Sequence, residues 1–567
     1  MELLDWFVML STLFGIVIYG VVKTRKNENI HSYFLGGKSM GWAAIGLSVM
    51  ATQASAITFI STPGQAYESG MGFVQNYFGL PLALIIVAAV FIPIYYKLKV
   101  YTAYQYLEQR FDLRTRLLAA FLFLIQRGLA AGITIYAPAI ILSAALGWDL
   151  TYTILFVGIL VIIYTVSGGT KAVSLTQKWQ MMIIMMGMFI AFFVILNKIP
   201  DDISFIDSLS IAGSMGKLEI VNFSFDPSVR YTFWTGITGG LFLALSYFGT
   251  DQSQVQRYLG GKSVKESRLG LMFNALLKVP MQFFILLCGL MIFVFFQFQE
   301  HPVLFDQASV DSVNKTEYAD EFNALNNQHL TQFKKKRLAI QQFNKATEGS
   351  EKAQLKEELL RLEGESKVIR NKAKDVVKTA LPGNNAKDSD YVFLSFILNY
   401  LPTGLVGLLL AVIISAAMSS TAGELNALGS TTLIDFYQRL YKKKGSDKHY
   451  VIASKAITAL WGVIAIIFAL FANMVENLIE AVNILGSLFY GTILGIFMVA
   501  FFLKRVGAKS IFISAIISEI IVISIYVFFG DIIAYLWLNI IGCLLVMALA
   551  SSLALFGNKP LVSPKVH

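Results

Sequence analysis

The stretch Ile414–Tyr437, ISAAMSSTAGELNALGSTTLIDFY, carries Ser415, Ser419, Ser420, Thr421, Glu424 and Asn426 inside a long apolar run. Hydroxyls gain nothing in hydrocarbon unless they find partners, because an unsatisfied polar group there is costly. Ser419 and Ser420 follow Ser415 by one turn and precede Glu424 by one turn, so several oxygens converge on one side of a helix. Oxygen ligands without a cage of carboxylates suit a hard cation of low charge, such as the coupling ion of a transporter. The same small and hydroxyl residues would also serve tight helix packing alone.

A second stretch, Gly41–Tyr67, is interrupted by Gln53, Ser55, Thr58, Ser61 and Thr62 around the small-residue run Ala51-Thr52-Gln53-Ala54-Ser55-Ala56. That composition suits a helix that unwinds within the membrane and frees backbone carbonyls for an ion. Irregular backbone at that depth is tolerated only where it is buried in protein or lines a cavity. Pro63 and Gly64 would end or bend this helix. Arg127 is the third feature. It lies about 11 residues into an apolar segment, or roughly 16 Å at 1.5 Å per residue, beyond easy snorkelling. A guanidinium at that depth either grips a substrate carboxylate bidentately or pairs internally, for instance with Glu424 or with helix-end carbonyls.

The elements that must hold these residues are apolar helices. The chain has 567 residues, of which 56% are hydrophobic and 14% charged, with a mean hydropathy of +0.63. Apolar runs of about 20 residues recur, each long enough to cross a bilayer core. The composition predicts an all-α polytopic membrane protein rather than a β-barrel, whose segments are short and alternating. Thirteen spans are expected, at 4–22, 41–66, 74–97, 117–146, 150–167, 178–197, 232–255, 269–298, 392–424, 452–473, 477–502, 510–529 and 532–556. Lys and Arg concentrate in the loops near 23–40, 98–116, 256–268 and 435–450, and are missing from those near 67–73, 147–149, 474–476 and 530–531. The positive-inside rule therefore puts the N-terminus outside and the C-terminus in the cytoplasm. The expected location is a plasma membrane, that of a bacterial inner membrane.

The net charge of +10 belongs to these short loops and implies no nucleic-acid partner. Cys288 and Cys543 lie in apolar runs, so no disulfide framework is implied. No basic segment precedes the first apolar run and no small-residue cleavage site follows it, so no cleavable signal peptide is expected. His31, His301, His329, His449 and His567 all fall in loops or tails, and no nucleophile elbow or phosphate-binding loop is evident, so an enzyme is not expected. Residues 300–390 form a long loop with equal numbers of basic and acidic residues. Two helix-forming stretches, 317–346 and 350–379, flank a break at Thr347–Gly349, and Leu355, Leu359 and Leu362 recur at helical spacing. This predicts an external helical hairpin that caps an entrance, binds a partner, or is a solvated insertion.

The span order has a symmetry. The interrupted second span starts inside and four more follow it; the span at 232–255 starts outside and four more follow that one. Such an arrangement fits a five-plus-five inverted repeat with the site near the midplane on broken helices. The implied divisions are 1–40, an added span and loop; 41–197, the first repeat; 198–231, an external loop; 232–299 and 391–503, the second repeat; 300–390, the hairpin insertion; and 504–567, two added spans and a tail.

Eight motifs in order carry a resemblance: GGKSMGW (36–42), GLSVMATQASAITFISTPGQAY (46–67), VYTAYQYLEQRF (100–111), IYAPAIIL (135–142), YTVSGGTKAV (164–173), SYFGTDQSQVQRYLGGKS (246–263), ALLKVP (275–280) and AAMSSTAGELNALGSTTLIDFY (416–437). With these the chain resembles the sodium/solute symporter family from about Asn29 to Arg505, the hairpin excepted. The stretches 100–111 and 135–142 look most like its iodide, vitamin and monocarboxylate branch. The resemblance implies a LeuT-like fold and the sodium ion as coupling ion. It implies a sodium site from carbonyls of Ala51, Ala54 and Ala416 and hydroxyls of Ser419 and Ser420. Some members hold a second sodium with an Asp where this chain has Gln177 and with hydroxyls where it has Ala422 and Gly423, so one sodium per solute is expected. Glu424 would replace that Asp, carry a proton, or pair with a cation. The resemblance places substrate among Gln53, Thr58, Thr62, Arg127, Tyr247, Lys278 and Asn483. The expected function is sodium-coupled import of a small polar organic solute (a sugar, sialic acid or an organic anion) by alternating access. The alternatives are proton coupling in the same fold, or a sensor or channel using the hairpin. The expected partners are that small-molecule solute and the lipid bilayer, and the expected state is a monomer or weak homo-oligomer.

Overall fold

The computed structural model describes residues 2–24, 39–346, 349–382, 386, 388–442, 444–471 and 477–556. Arg25, Lys26, His31, Lys38, most of the expected 23–40 loop, the loop at 474–476 and the tail with His567 lie outside these residues. Among the described residues the architecture is all-helical. Nine stretches are long and apolar enough to cross a membrane, and Leu3–Gly15, Leu150–Val166 and Thr235–Gly249 are shorter apolar helices. One of the nine, Ala56–Leu98, folds as two helices joined by the 3-10 turn Gly70–Tyr77. Counting it as two, the apolar helices occupy each of the thirteen expected positions. Large apolar side chains such as Phe14, Ile163, Leu276, Ile520 and Val527 are exposed around the bundle, the surface an integral membrane protein offers to lipid.

The elements are α1 (Leu3–Thr24), α2 (Trp42–Gln53), α3 (Ala56–Ser69), α4 (80–98), α5 (Leu113–Leu146) and α6 (Leu150–Lys198). They continue with α7 (Thr235–Gly249), α8 (Gln252–Leu259), α9 (Val264–Phe298), α10 (Ala319–Lys345) and α11 (Ser350–Ala380). The last are α12 (Ser389–Tyr400), α13 (Leu405–Thr431), α14 (Asp447–Phe471), α15 (Leu478–Phe502), α16 (Ala508–Phe529) and α17 (Trp537–Phe556). Local chemistry sets several starts. Asp112 caps α5 by accepting from Thr115 N at 2.8 Å, and Ser263 caps α9 by accepting from Glu266 N at 3.3 Å.

Four expectations need correction. The expected span 392–424 breaks at Leu401–Gly404, where Pro402 and a positive φ of 89° at Gly404 turn the chain. Asp5 of α1 stabilises this turn by accepting from the backbone N–H of Gly404 at 2.6 Å and of Gly407 at 3.1 Å. Helix then continues past the expected end to Tyr441. The expected span 232–255 is also broken, at Thr250 and Asp251, so both repeats begin with a discontinuous helix. Finally, no loop separates the spans expected at 150–167 and 178–197, because α6 is helical throughout. Its first half packs on α14, where Gly158 meets Ile466 and Gly462 meets Ile162, and its second half packs on α13, where Gly187 meets Leu409.

The hairpin forms as expected and is docked. Leu359 and Leu362 are buried and Leu355 partly so. Gln332 Nε2 donates to Leu362 O at 3.2 Å, and Lys336 pairs with Glu363 at 3.0 Å. Lys374 of α11 pairs with Glu68 of α3 at 3.1 Å, which ties the hairpin to the far end of the first broken helix.

Candidate functional site

The first break positions one set of oxygens. Ala54 (φ −92°, ψ 70°) and Ser55 (φ −76°, ψ 177°) leave the helical region between α2 and α3. Small side chains at Ala51, Ala54 and Ala56 permit α13 to pack along both halves there. At Gly64, more than two turns further out, a Cβ would strike the backbone of Ser389, so the outer half also needs a residue without one. The structure brings Ser420 to Ala51, its Oγ donating to Ala51 O at 3.4 Å. Ser419 Oγ is buried and has no partner. Ala416 lies buried one turn before Ser420. An orphaned buried hydroxyl beside carbonyls released by a helix break is a donor set that fits a hard monovalent cation, since such an ion takes oxygens in place of water.

One turn along, the site differs in kind. Gln177 Oε1 accepts from Ser48 Oγ at 2.7 Å, and Gln177 Nε2 donates to Thr52 Oγ1 at 3.2 Å, so its amide bridges to α2. On α13, a Cβ at Gly423 would run into the guanidinium of the buried Arg257, and Gly423 O accepts from Gln256 Nε2 at 3.3 Å. A neutral amide and a guanidinium thus stand where a second cation would need anionic oxygen.

Glu424 points elsewhere. Its Oε1 accepts from Arg127 Nη1 at 3.0 Å and its Oε2 from Thr134 Oγ1 at 2.9 Å. Arg127, only 2% exposed, also pairs with Asp251 and donates to Tyr490 Oη at 2.6 Å. Tyr490 O–H in turn donates to Asp251 Oδ2 at 2.7 Å, and Asp251 Oδ1 caps α8 by accepting from Ser253 N at 2.8 Å. Tyr247 lies under the guanidinium, with Cζ 5.5 Å from the ring centroid. One arginine thereby joins α5, α13, α15 and the break between α7 and α8.

This cluster forms part of the wall of a cavity of about 120 Å³ beside the first break. Of the residues expected around substrate, Gln53, Thr58, Arg127, Tyr247 and Asn483 line it. Gln53 Oε1, Asn483 Nδ2 and Asn76 Oδ1 are buried there without partners. Thr62 and Lys278 fall outside that wall: Thr62 Oγ1 accepts from Gln282 Nε2 at 3.2 Å, and Lys278 Nζ lies 5.8 Å from the Tyr77 ring centroid. Sequence reasoning missed Asp251, Asn76 and Tyr490. Asp251 carried a usable signal, a carboxylate inside an apolar span, but the span was read as continuous through it. Tyr490 is one aromatic residue among many in α15 and carried none.

Comparison with known proteins places this geometry. A model of the sodium:solute symporter family matches residues 33–319 and 370–518, and leaves out 320–369 of the hairpin. The chain is 28% identical over 565 residues to the sodium/sialic acid symporter SiaT of Proteus mirabilis (strain HI4320), covering 96% of this chain and 95% of that one. It is 32% identical over 290 residues to the human sodium/iodide cotransporter, covering 51% of this chain but 44% of the relative. Several of the relatives it matches are thus spanned over less than half their length. A solved structure described as the substrate-bound outward-open state of a Na+-coupled sialic acid symporter aligns over 99% of both chains with a TM-score of 0.76 at 24% identity, and shares the fold.

Proposed function

The chain belongs to the sodium:solute symporter family, and from that premise we propose that it imports a small polar organic solute coupled to sodium, with one sodium per solute. The observation that carries this reading is the adjacency of two unsatisfied sets at one helix break. Ser419 Oγ lies on the α13 side, and Gln53 Oε1 and Asn483 Nδ2 face the cavity. Sodium, as cargo, is held by carbonyls of Ala51, Ala54 and Ala416 and by the hydroxyls of Ser419 and Ser420. Gln53 immediately precedes Ala54 and Ser55 immediately follows it, so an ion that orders the break also orders two residues of the solute cavity. Solute then binds without that ordering cost, which is positive coupling. A ligand that prefers one arrangement of the broken helices shifts the population toward it, and closure of the opposite side follows.

The solute is a sugar, sialic acid or organic anion of modest size. Both terminal nitrogens of Arg127 are engaged by Glu424 and Asp251, so Arg127 acts as a tie among helices and an anionic solute would compete with two carboxylates for it. The basic loops face the cytoplasm, the hairpin faces outside, and the location is a bacterial inner membrane. The protein works as a monomer or a weak homo-oligomer.

The test follows thermal unfolding of detergent-purified protein in sodium, potassium and choline chloride at equal ionic strength, beside Ser419→Ala/Ser420→Ala. A ligand that binds only the folded state stabilises it by about RT ln(1 + [L]/Kd). A sodium-specific rise lost in the variant is expected. A sodium-indifferent melt would overturn sodium coupling in favour of proton coupling, with Glu424 the carboxylate to test next.

A further inference from the structure

A second cavity, of about 310 Å³, opens where the hairpin meets the end of α3. Its wall includes Lys217, from the segment between α6 and α7, Lys336 of α10, and Lys367, Arg370 and Lys374 of α11. The carboxylates facing these cations are Glu68 and Glu363, and Asp388 pairs with Arg370 from beyond the wall. Five cations against three carboxylates leave two positive charges in excess. Glu363 is divided between Lys217 at 3.2 Å and Lys336 at 3.0 Å, and Glu68 between Lys374 at 3.1 Å and Arg370 at 3.9 Å. Lys367, Arg370 and Lys374 recur at helical spacing on one face of α11.

An independent observation points the same way. His329 lines this cavity, is 5% exposed, and has no side-chain partner, only the His301 backbone beside its ring. His301 lies beside it, ring centroids 4.7 Å apart. Burial pushes His329 down to about 4, and Arg370 and Lys336 push it the same way. Burial also brings Lys217 down to about 8, against the pull of Glu363 and with the help of Lys367. These groups sit in a positive potential that the nearby carboxylates leave unbalanced. Among the described residues no group of three His, Cys, Asp or Glu is placed to hold a metal ion.

We propose that this cavity is a binding site for a small oxyanion, such as phosphate, sulfate or a carboxylate, between Lys367 and Lys336, with Lys217, its three donors taken by Tyr67 O, Glu68 O and Glu363, adding positive charge. It is separate from the solute cavity, and the family model skips most of the hairpin that builds it. Lys217 Nζ also donates to the carbonyls of Tyr67 at 2.9 Å and Glu68 at 2.7 Å, in the last turn of α3. An anion bound here sits beside the lysine that joins the hairpin to the outer half of the first broken helix.

The experiment uses the full chain at fixed sodium concentration and ionic strength. Melting is followed against sodium phosphate, sodium sulfate and sodium acetate, with sodium chloride as reference, for the wild type, Lys367→Glu and the milder Lys367→Gln. Phosphate and sulfate stabilise many proteins by exclusion from their surface, and that effect is blind to one lysine. The expected result is a saturable rise in the wild type whose apparent Kd weakens at least tenfold in Lys367→Glu and less in Lys367→Gln. The sodium-specific rise is expected unchanged in both variants. Saturation by phosphate or sulfate identifies a free inorganic anion as the occupant, and saturation by acetate alone identifies an organic carboxylate. No saturable rise, or an equal rise in all three proteins, would overturn the site and leave the sodium reading untouched.

Discussion

Arg127 is the residue on which the readings diverge most. Removing one member of a buried ion pair leaves the others charged and unpaired, at a cost of about 3–5 kcal/mol. Arg127→Gln is therefore expected to lower the melting temperature and to abolish uptake of neutral and anionic solutes alike in proteoliposomes. Selective loss of anionic solutes, with folding intact, would return Arg127 to the role of a substrate ligand. Gln177 and Gly423 carry the proposed stoichiometry. At the position where the resemblance implies a second sodium, an amide bridges Ser48 and Thr52 and a guanidinium lies against Gly423, which disfavours a cation there. The sodium Hill coefficient of uptake is accordingly expected near 1, and a value near 2 would contradict this. The hydroxyl pair Ser419 and Ser420 is legible from residue type, whereas Gln177 is singled out only by the resemblance to the symporter family. Asp251 also carries a signal, a carboxylate inside an apolar span, but its role depends on a break that only packing reveals.

At the scale of elements, the hairpin is held by charge as well as by apolar contact. Burial works to raise the Glu363 carboxyl, yet Lys336 and Lys217 hold it at about 2. A lowered carboxyl contributes stability that is full above its ordinary value near 4.5 and is lost as pH falls toward 2. Docking through Glu363 is thus insensitive to acid between about pH 5 and 7. Glu363→Gln strands two lysines, Lys217 and Lys336, without their shared carboxylate. Faster hydrogen exchange across α10 and α11 is expected, with exchange in α13 unchanged; uniform exchange in both proteins would show that the apolar contacts alone suffice. The hairpin's existence was legible from helix-forming composition and the leucine spacing at 355, 359 and 362. Its docking onto Glu68 was not, because the two partners, Glu68 and Lys374, are more than 300 residues apart.

For the whole molecule, orientation is the claim with the widest reach. Both native cysteines, Cys288 and Cys543, are buried, so background labelling is low. A single cysteine at the exposed Lys356 of α11 is expected to react with a membrane-impermeant maleimide on intact cells. One at the exposed Lys504, beyond α15, is expected to react only after the membrane is opened. The reverse pattern would invert the topology and, with it, the direction of import. A pattern in which both sites label equally would mean mixed insertion.

Hydropathy determined the thirteen apolar segments, because an apolar run of about 20 residues has few alternatives to crossing a bilayer. Residue type likewise marked Ala51–Ala56 and Ser419–Ser420, since polar and small groups in hydrocarbon need a reason. Tertiary structure alone decided where the other helices break and which charges meet. At the second break Asp251 meets the opposite charge of Arg127, carried there by α5 from more than 100 residues away. The cationic cavity under the hairpin gathers residues from α3, α10, α11 and the segment before α7. Such juxtapositions depend on long-range packing, which local propensity and spacing do not encode.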